Sequence, residues 1–480
     1  MNLNPTTAPS GGLASSSTTP GRPTRVRYGV LGFCCLLSMI TYLDRVCFGS
    51  AAPYLVEALG LTSVADLQLA FTAFAFAYAA FEVPSGWLGD VYGPRRTLLR
   101  IVLWWSVFTA LTGLVWKDGV WVLSGLGVLI VIRFLFGMGE AGAYPNITRS
   151  LHNWFPTTSW GFGQGAVWMS GRLMGGLTPF VWLLVVERGG LSWRTAFYIF
   201  GGIGLLWCAA FAWWFRDRPE QHPEVNSEEK ALILAGRKEE QAHANVPWGK
   251  LLTSGNLWAL CLMYFCAAYG WYFNITYLHT FLEQQYDVAK DSTLGAFYKG
   301  GPLWMGAITC LLGGYLSDRF IRTTGNRKWG RRLFGVIGHS LCAVCYLLSL
   351  KANSAFTFFL AISFAAFWND LTMGAAWATC QDIGRRYAAI VAGCMNTVGN
   401  LGGTVAGYAT GMILNAALNR HAESLGVATD RLSPAEKAAG LYPGYELNFL
   451  LFALVYVVAV FLWLRIDATR PVVPDTEAAA

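Results

Sequence analysis

The chain is predicted to be an all-α polytopic membrane protein, with twelve transmembrane helices in two pseudo-symmetric halves of six. Three observations predict it. The first is composition: of 480 residues, 54% are hydrophobic and 15% aromatic, and only 13% are charged, about half the share in a soluble domain. The second is the recurrence of apolar runs long enough to cross a bilayer core, which takes roughly 20 residues per helix. The third is an internal repeat. "GWLGD" at Gly86 to Asp90 returns as "GYLSD" at Gly314 to Asp318, and Gly165, Gly171 and Gly175 return as Gly393, Gly399 and Gly403. Both sets are displaced by the same 228 residues (90 to 318, 165 to 393), as expected of duplicated halves.

In chain order the apolar runs lie at about 27–50, 66–88, 94–116, 120–144, 158–186, 193–215, 254–284, 294–317, 332–350, 354–378, 387–416 and 445–465. Residues 1–26 are rich in Ser, Thr, Pro and Gly and carry no apolar core, so they read as a disordered tail with no cleaved signal peptide. The halves occupy 27–215 and 254–466. Between them, 216–253 is the one long charged segment, read as a linker that forms a short amphipathic helix on the cytoplasmic surface; 467–480 reads as a second cytoplasmic tail.

Basic residues flanking short loops stay on the cytoplasmic side. Of the 35 Lys and Arg, the twelve-helix count puts 23 on one side, 9 on the other and 3 inside helices. The majority side holds both termini, which are therefore expected in the cytoplasm of a multi-pass plasma membrane protein, by expectation of a bacterial inner membrane. The net charge of +7 is thus a topology signal, and no basic-and-aromatic pattern points to nucleic acid. No HExxH, GxSxG or P-loop occurs and only six His are present, so an enzyme is not expected. The eleven Cys fall in predicted helices, are taken to include no CxxC spacing, and read as small buried hydrophobes. No metal or cofactor is expected, and the expected partners are a small solute, protons and lipid around a monomer.

Each repeated motif has its own physics. Gly86 and Gly314 let two helices approach closely. Asp90 and Asp318 can sit at a helix start and accept from backbone N–H groups or face an Arg, while Arg95, Arg96 and Arg319 hold the loops on the basic side. These residues are the candidate gating motif. The Gly-rich faces "GRLMGG" and "GNLGGTVAGYATG" give smooth surfaces for tight packing and for rocking of one helix on another.

Charges inside the spans carry the functional reading. "TYLDRVCFGS" places Asp44 beside Arg45 in the first span, and Arg133, Glu140 and Arg172 lie in the fourth and fifth. A charge at mid-membrane costs about 2.5–3.5 kcal/mol on insertion scales, so it faces a cavity or a partner. Arg133 and Glu140 are two turns apart and share a helix face, as do Tyr42 and Arg45. At the 228-residue displacement Asp44, Arg45, Arg133, Glu140 and Arg172 become Tyr272, Phe273, Ala361, Trp368 and Asn400. The second half is thus expected to fold without these charges, which favours a polar site over a structural ion-pair network. Guanidinium groups stay charged and match a carboxylate bidentately, so Arg45 and Arg133 are candidate anchors for an anion. Carboxylates removed from water can take up and release a proton, so Asp44 and Glu140 are candidate proton carriers. Tyr42, on the Arg45 face, is a candidate lining residue. Glu82 and Asp370 are further intramembrane acids without an assigned role, and Arg172 reads equally as structural.

"GWLGDVYGPRR" resembles the loop signature of the major facilitator superfamily between its second and third helices. "YLDR", "RFLFGMGEAGAYP" and "WATCQDIG" followed by "GCMNTVGNLGG" are similar to the anion:cation symporter family within it. That resemblance implies the major facilitator fold, proton coupling through Asp44 and Glu140, and anion binding by Arg45 and Arg133; it also makes Tyr78, Gln164, Trp377, Asn396 and Asn400, in segments similar to the family's substrate-binding helices, candidate lining residues. Two departures stand out: Val91 where a basic residue usually follows the motif Asp, and Glu82 where relatives often carry Gln before the Pro. The function expected is proton-coupled symport of an organic anion, first among them a sugar acid such as a hexuronate, aldonate or aldarate. The alternatives are an organic-anion exchanger or facilitator of the same superfamily, or a receptor on the same scaffold.

Overall fold

Apolar runs in a bilayer must satisfy their backbone groups internally, and helices do so within one segment. The computed structural model describes residues 21–120, 124–235, 246–288 and 293–473. Most of the predicted N-terminal tail, and the end of the C-terminal one, lie outside the described residues. The N-terminal half is built from α1 (Val26–Leu59), α2 (Gln68–Tyr92), α3 (Pro94–Thr112), α4 (Gly125–Glu140), α5 (Ala143–Trp154), α6 (Trp160–Trp182) and α7 (Trp193–Trp214). Two short helices, α8 (Ser227–Leu234) and α9 (Trp248–Thr253), lie in the linker. The C-terminal half follows as α10 (Gly255–Thr276), α11 (Leu278–Tyr286), α12 (Thr293–Thr324), α13 (Arg327–Ser349), α14 (Ala355–Leu371), α15 (Met373–Gly384), α16 (Ala388–Leu425) and α17 (Pro434–Arg465). Reading α4 with α5 and α14 with α15 as single broken crossings, and α11 as a cap on α10, leaves twelve spans. Large apolar side chains such as Leu206, Trp213, Tyr408 and Phe461 are exposed on the outer surface, where lipid rather than water is the solvent.

Two corrections to the sequence reading follow, one of span boundaries and one of cysteine spacing. The last two spans were expected to stop at 416 and resume at 445, whereas α16 runs to Leu425 and α17 starts at Pro434. At 1.5 Å per residue, the 38 residues of α16 span about 57 Å, well beyond a ~30 Å hydrocarbon core. The intervening segment is polar, which ends the hydropathy signal, but its helix signals are intact. Gly426 closes α16 in the left-handed conformation, and Ser433 with Glu436 forms a capping box at the start of α17. The second correction is that the eleven Cys include a Cys-x-x-Cys spacing, Cys342 to Cys345 in α13; both side chains are buried and free.

The repeat also shifts in register. The 228-residue displacement relates α2 to α12 and α6 to α16. The longer loop before α13 moves it, so that α5 begins at Ala143 and α15 at Met373. Glu140 lies three residues before the start of α5, and the residue three before the start of α15 is Asp370. The counterparts of Glu140 and Arg133 are therefore Asp370 and Ser363 rather than Trp368 and Ala361. The C-terminal half does carry an intramembrane acid at the matching place.

The halves meet along α6 against α12 and α2 against α16, two contacts that the repeat exchanges. Glycine makes both possible. A Cβ on Gly314 would lie 2.1 Å from the Gly161 carbonyl oxygen, and one on Gly86 would lie 2.6 Å from that of Ala389. Just beyond each glycine, an aspartate caps the opposing helix. Asp318 accepts from the N–H groups of Gly161 (3.1 Å) and Phe162 (2.6 Å), and Asp90 from those of Ala389 (3.2 Å) and Ile390 (2.8 Å). Each carboxylate thus crosses between halves to the positive end of a helix. These contacts close the molecule on the face that also carries the start of α1, the linker and the end of α17, here termed the basic face.

Arginines reinforce the closure. Arg331 is fully buried between Asp318 (2.8 Å) and Asp382 (2.8 Å), and Arg149 lies 3.7 Å from Asp90. Sequence reading assigned this role to Arg95, Arg96 and Arg319. In the fold Arg319 and Arg96 point to the exposed surface, while Arg95 binds Asp217 through its backbone N–H (2.8 Å) and the Ala212 carbonyl through its side chain. The linker docks here too: Glu229 of α8 accepts from the N–H groups of Val26 and Arg27 and pairs with the Arg27 side chain at 2.8 Å.

Because backbone stands on both sides of the Gly314 contact, Gly314→Ala is expected to push the halves apart on the basic face. Spin labels on the basic-face ends of α6 and α12 should then report a longer distance than in the unsubstituted protein; an unchanged distribution would show that the contact does not set the closure.

Candidate functional site

Successive residues on a helix point about 100° apart, so Asp44 and Arg45 leave α1 in different directions. Arg45 turns toward α4 and donates from Nε to Glu140 Oε1 at 2.7 Å. Its guanidinium lies 4.5 Å from the centre of the Tyr78 ring of α2, and its side chain keeps 28% exposure. Asp44 turns toward α3, where Thr109 Oγ1 donates to Oδ2 at 3.5 Å. Neither charge pairs with its neighbour in sequence. The break between α4 and α5 holds Glu140 in place: Gly142 adopts φ 85°, and a Cβ there would lie 2.2 Å from Cβ of Ser85.

Arg133 is buried without a carboxylate within 4 Å among the described residues. It sits instead among three aromatic rings, with Phe48, Phe74 and Phe136 centred 4.1, 4.7 and 4.6 Å from its guanidinium carbon, a cation–π cage. Four charged-group atoms in this cluster are buried and lack any hydrogen-bond partner: Asp44 Oδ1, Arg45 Nη2, Arg133 Nε and Glu140 Oε2. Unsatisfied buried polar atoms are rare in folded proteins and costly. Two acids and two bases are thus gathered here with donors and acceptors left unpaired.

A second ion pair lies nearby. Arg172 of α6 holds Asp370 of α14 with both arms of its fork, Nε to Oδ2 at 2.8 Å and Nη2 to Oδ1 at 3.1 Å, and its Nη1 donates to the Tyr42 hydroxyl at 2.9 Å. Trp271 covers the guanidinium at 4.0 Å. Gly171 and Gly175 of α6 seat the Tyr42 ring, since a Cβ on either would lie within 3 Å of it.

Glu82 of α2 is a third focus. It is fully buried and accepts from three donors of α16, in the other half: the Asn396 amide, Thr397 Oγ1 at 3.4 Å and the Asn400 amide at 3.3 Å. Asn396 also reaches the Tyr78 hydroxyl at 3.5 Å. Asn396, Asn400 and Tyr78 therefore meet around an acid that sequence reading left without a role.

The remaining lining candidates lie toward the basic face. Gln164 is eight residues before Arg172 on α6, about 12 Å along the axis, and its amide donates to Thr148 Oγ1 at 3.1 Å. Trp377 is fully buried and donates to the Tyr264 hydroxyl at 3.1 Å. Its ring packs 5.1 Å from Trp168, which stacks 4.5 Å from Tyr144. These four aromatic residues, two from each half, form a floor between the charges and the basic-face closure. Sequence reading missed Tyr144, Trp168, Tyr264 and the Phe48, Phe74 and Phe136 cage, because an aromatic side chain in an apolar span looks like ordinary packing.

Comparison with known proteins places this arrangement. Residues 34–407 match the model of the Major Facilitator Superfamily. The chain is 34% identical over 396 residues to the "Probable sulfoacetate transporter SauU" of Cupriavidus necator, covering 81% of this chain and 88% of that protein. It is 28% identical over 424 residues to the "Probable galactarate/D-glucarate transporter GudP" of Escherichia coli, covering 84% and 90%. Among solved structures, the E. coli fucose:proton symporter FucP aligns over 92% of this chain and 99% of its own, with a TM-score of 0.64 at 13% identity, a likeness of fold. The chain belongs to the major facilitator superfamily and is a multi-pass membrane transporter rather than an enzyme.

Proposed function

We propose that the protein is a proton-coupled symporter of a small organic anion, in the sugar-acid class of hexuronates, aldonates and aldarates or a similarly small carboxylate. The observation that carries this reading is the cluster of Asp44, Arg45, Arg133 and Glu140, each with a buried polar atom left unsatisfied. The printed names of the relatives, sulfoacetate for SauU and galactarate and D-glucarate for GudP, support the anion class. The 23 basic residues on one side support a cytoplasmic basic face, with both termini there.

On this reading the structure, closed on the basic face, represents the state that receives substrate from the opposite side. Protons taken by Asp44 and Glu140 remove two negative charges, and Glu140 releases Arg45. Arg45 and Arg133 then bind the carboxylate, Arg133 supplying the guanidinium that no protein acid holds. Tyr42, Tyr78, Asn396 and Asn400 border the same space. The halves rock about this midplane site, the caps at Asp90 and Asp318 release, and loss of protons on the cytoplasmic side restores the Arg45–Glu140 pair and displaces the anion. Gln164 and Trp377, lying below the charges, meet the substrate on its way out.

Uptake of labelled hexuronate, aldonate, aldarate and sulfoacetate into proteoliposomes tests the reading, with an inward proton gradient present or collapsed by a protonophore. Asp44→Asn and Glu140→Gln are expected to abolish gradient-driven accumulation, with counterflow persisting in at least one; normal accumulation by both would remove these acids from coupling. Replacing the proton gradient by one of sodium is a necessary arm, because one relative is named a sodium-dependent phosphate transport protein.

Arg45→Lys and Arg133→Lys are each expected to raise KM. A hydrogen bond to a charged group contributes about 1.5–3 kcal/mol, hence a rise of roughly tenfold or more. An unchanged KM in both would place the anion elsewhere.

A further inference from the structure

The two ion pairs of the site are built on one plan. Each half breaks its fourth crossing, Glu140 and Asp370 stand three residues before the second segment of their respective breaks, and each acid holds a guanidinium, Arg45 and Arg172. Their wiring differs. Arg45 and Glu140 belong to the same half, whereas Arg172 of α6 reaches across to Asp370 of α14. Tyr42 ties the pairs together: it lies one turn from Arg45 on the same face of α1 and accepts from Arg172 at 2.9 Å.

We propose that Arg172 is a second anion anchor, held in this structure by Asp370 as a built-in carboxylate, and that the site takes a substrate with two acid groups. The inference rests on the anion-carrier reading above and deepens it. The Arg172 fork is presented bidentately, the geometry that a carboxylate or sulfonate matches. One of its faces is covered by Trp271, and a Cβ on Gly306 would lie 2.3 Å from Asp370 Oδ2, so the pair is closely framed by α10 and α12. Because Asp370 moves with the C-terminal half, rocking of the halves separates it from Arg172 and leaves that guanidinium to the second acid group of the substrate. A substrate with one acid group leaves Arg172 without an anion at that stage, so the site discriminates by charge count as well as by shape.

The test compares matched probes in proteoliposomes: D-glucarate against D-gluconate, and sulfoacetate against acetate, each as substrate and as competitor. The unsubstituted protein is expected to prefer the two-acid member of a pair. Asp370→Asn, which removes the competing carboxylate, is expected to lower KM for the two-acid probe. Arg172→Gln combined with Asp370→Asn, which leaves no buried charge unpaired, is expected to raise that KM about tenfold or more and to lower, rather than raise, the KM for the one-acid probe, erasing the preference. A preference that survives the double substitution overturns the proposal, as does an equal loss of both probes in protein that melts like the unsubstituted chain. Equal transport of both members by the unsubstituted protein overturns the proposal and leaves the anion reading standing; transport of none of the four overturns both.

Discussion

A guanidinium taken out of water must find an anion or a π-face, and the arrangement of this protein follows from how three buried arginines and one partly buried arginine meet that demand. Arg331 is held between Asp318 and Asp382, Arg172 by Asp370, Arg45 by Glu140 and Arg133 by three phenylalanine rings. Breaking a buried pair costs about 3–5 kcal/mol because the remaining charge is stranded. Each pair therefore acts as a constraint on where its helices can stand. Arg331 stitches α13 to α12 and α15, Arg172 joins the two halves, and Arg45 fixes α1 to α4. Arg133 is the exception, framed by aromatic rings and with no carboxylate within 4 Å among the described residues.

The scaffold is symmetric where it closes on the basic face and asymmetric in its charged interior. On the basic face the repeat places glycine against backbone twice and aspartate on a helix start twice, with Gly86 and Asp90 exchanging roles with Gly314 and Asp318. Such contacts use backbone groups and the helix dipole, so duplication preserves them while side chains diverge. The interior keeps only the acids at the helix breaks in common. The N-terminal half adds Asp44, Arg45, Arg133 and Arg172, and the C-terminal half adds amides and aromatic rings. A duplicated frame thereby sets a half rich in charge against one that is polar and aromatic.

Glu82 shows how a change of one residue type is absorbed. A carboxylate buried between α2 and α16 has no cation within 4 Å among the described residues, yet three donors of the opposing helix converge on it. Those donors include Asn396 and Asn400, which sequence reading had assigned to the substrate. Their amides are thus already engaged across the junction of the halves.

The amino-acid sequence by itself determined the twelve spans, the duplication and the identity of the charged residues, because bilayer solvation imposes one-dimensional signals: runs of apolar residues, an excess of Lys and Arg on one side, and intramembrane charges too costly to be incidental. It also marked Gly86, Asp90, Gly314 and Asp318 through their repetition. Only the tertiary structure decided the partners. Asp44 and Arg45 are adjacent in the chain but diverge around α1; Arg133 and Glu140 share a helix face but do not pair; and Arg331, counted from sequence as a loop charge, is buried inside the gate. The match of Glu140 to Asp370 emerged from the positions of two helix breaks, since an insertion before α13 shifts the register that a constant displacement assumes. Pairing depends on which helices are neighbours and on how each is rotated about its axis, and those relations are set by packing between segments far apart in the chain.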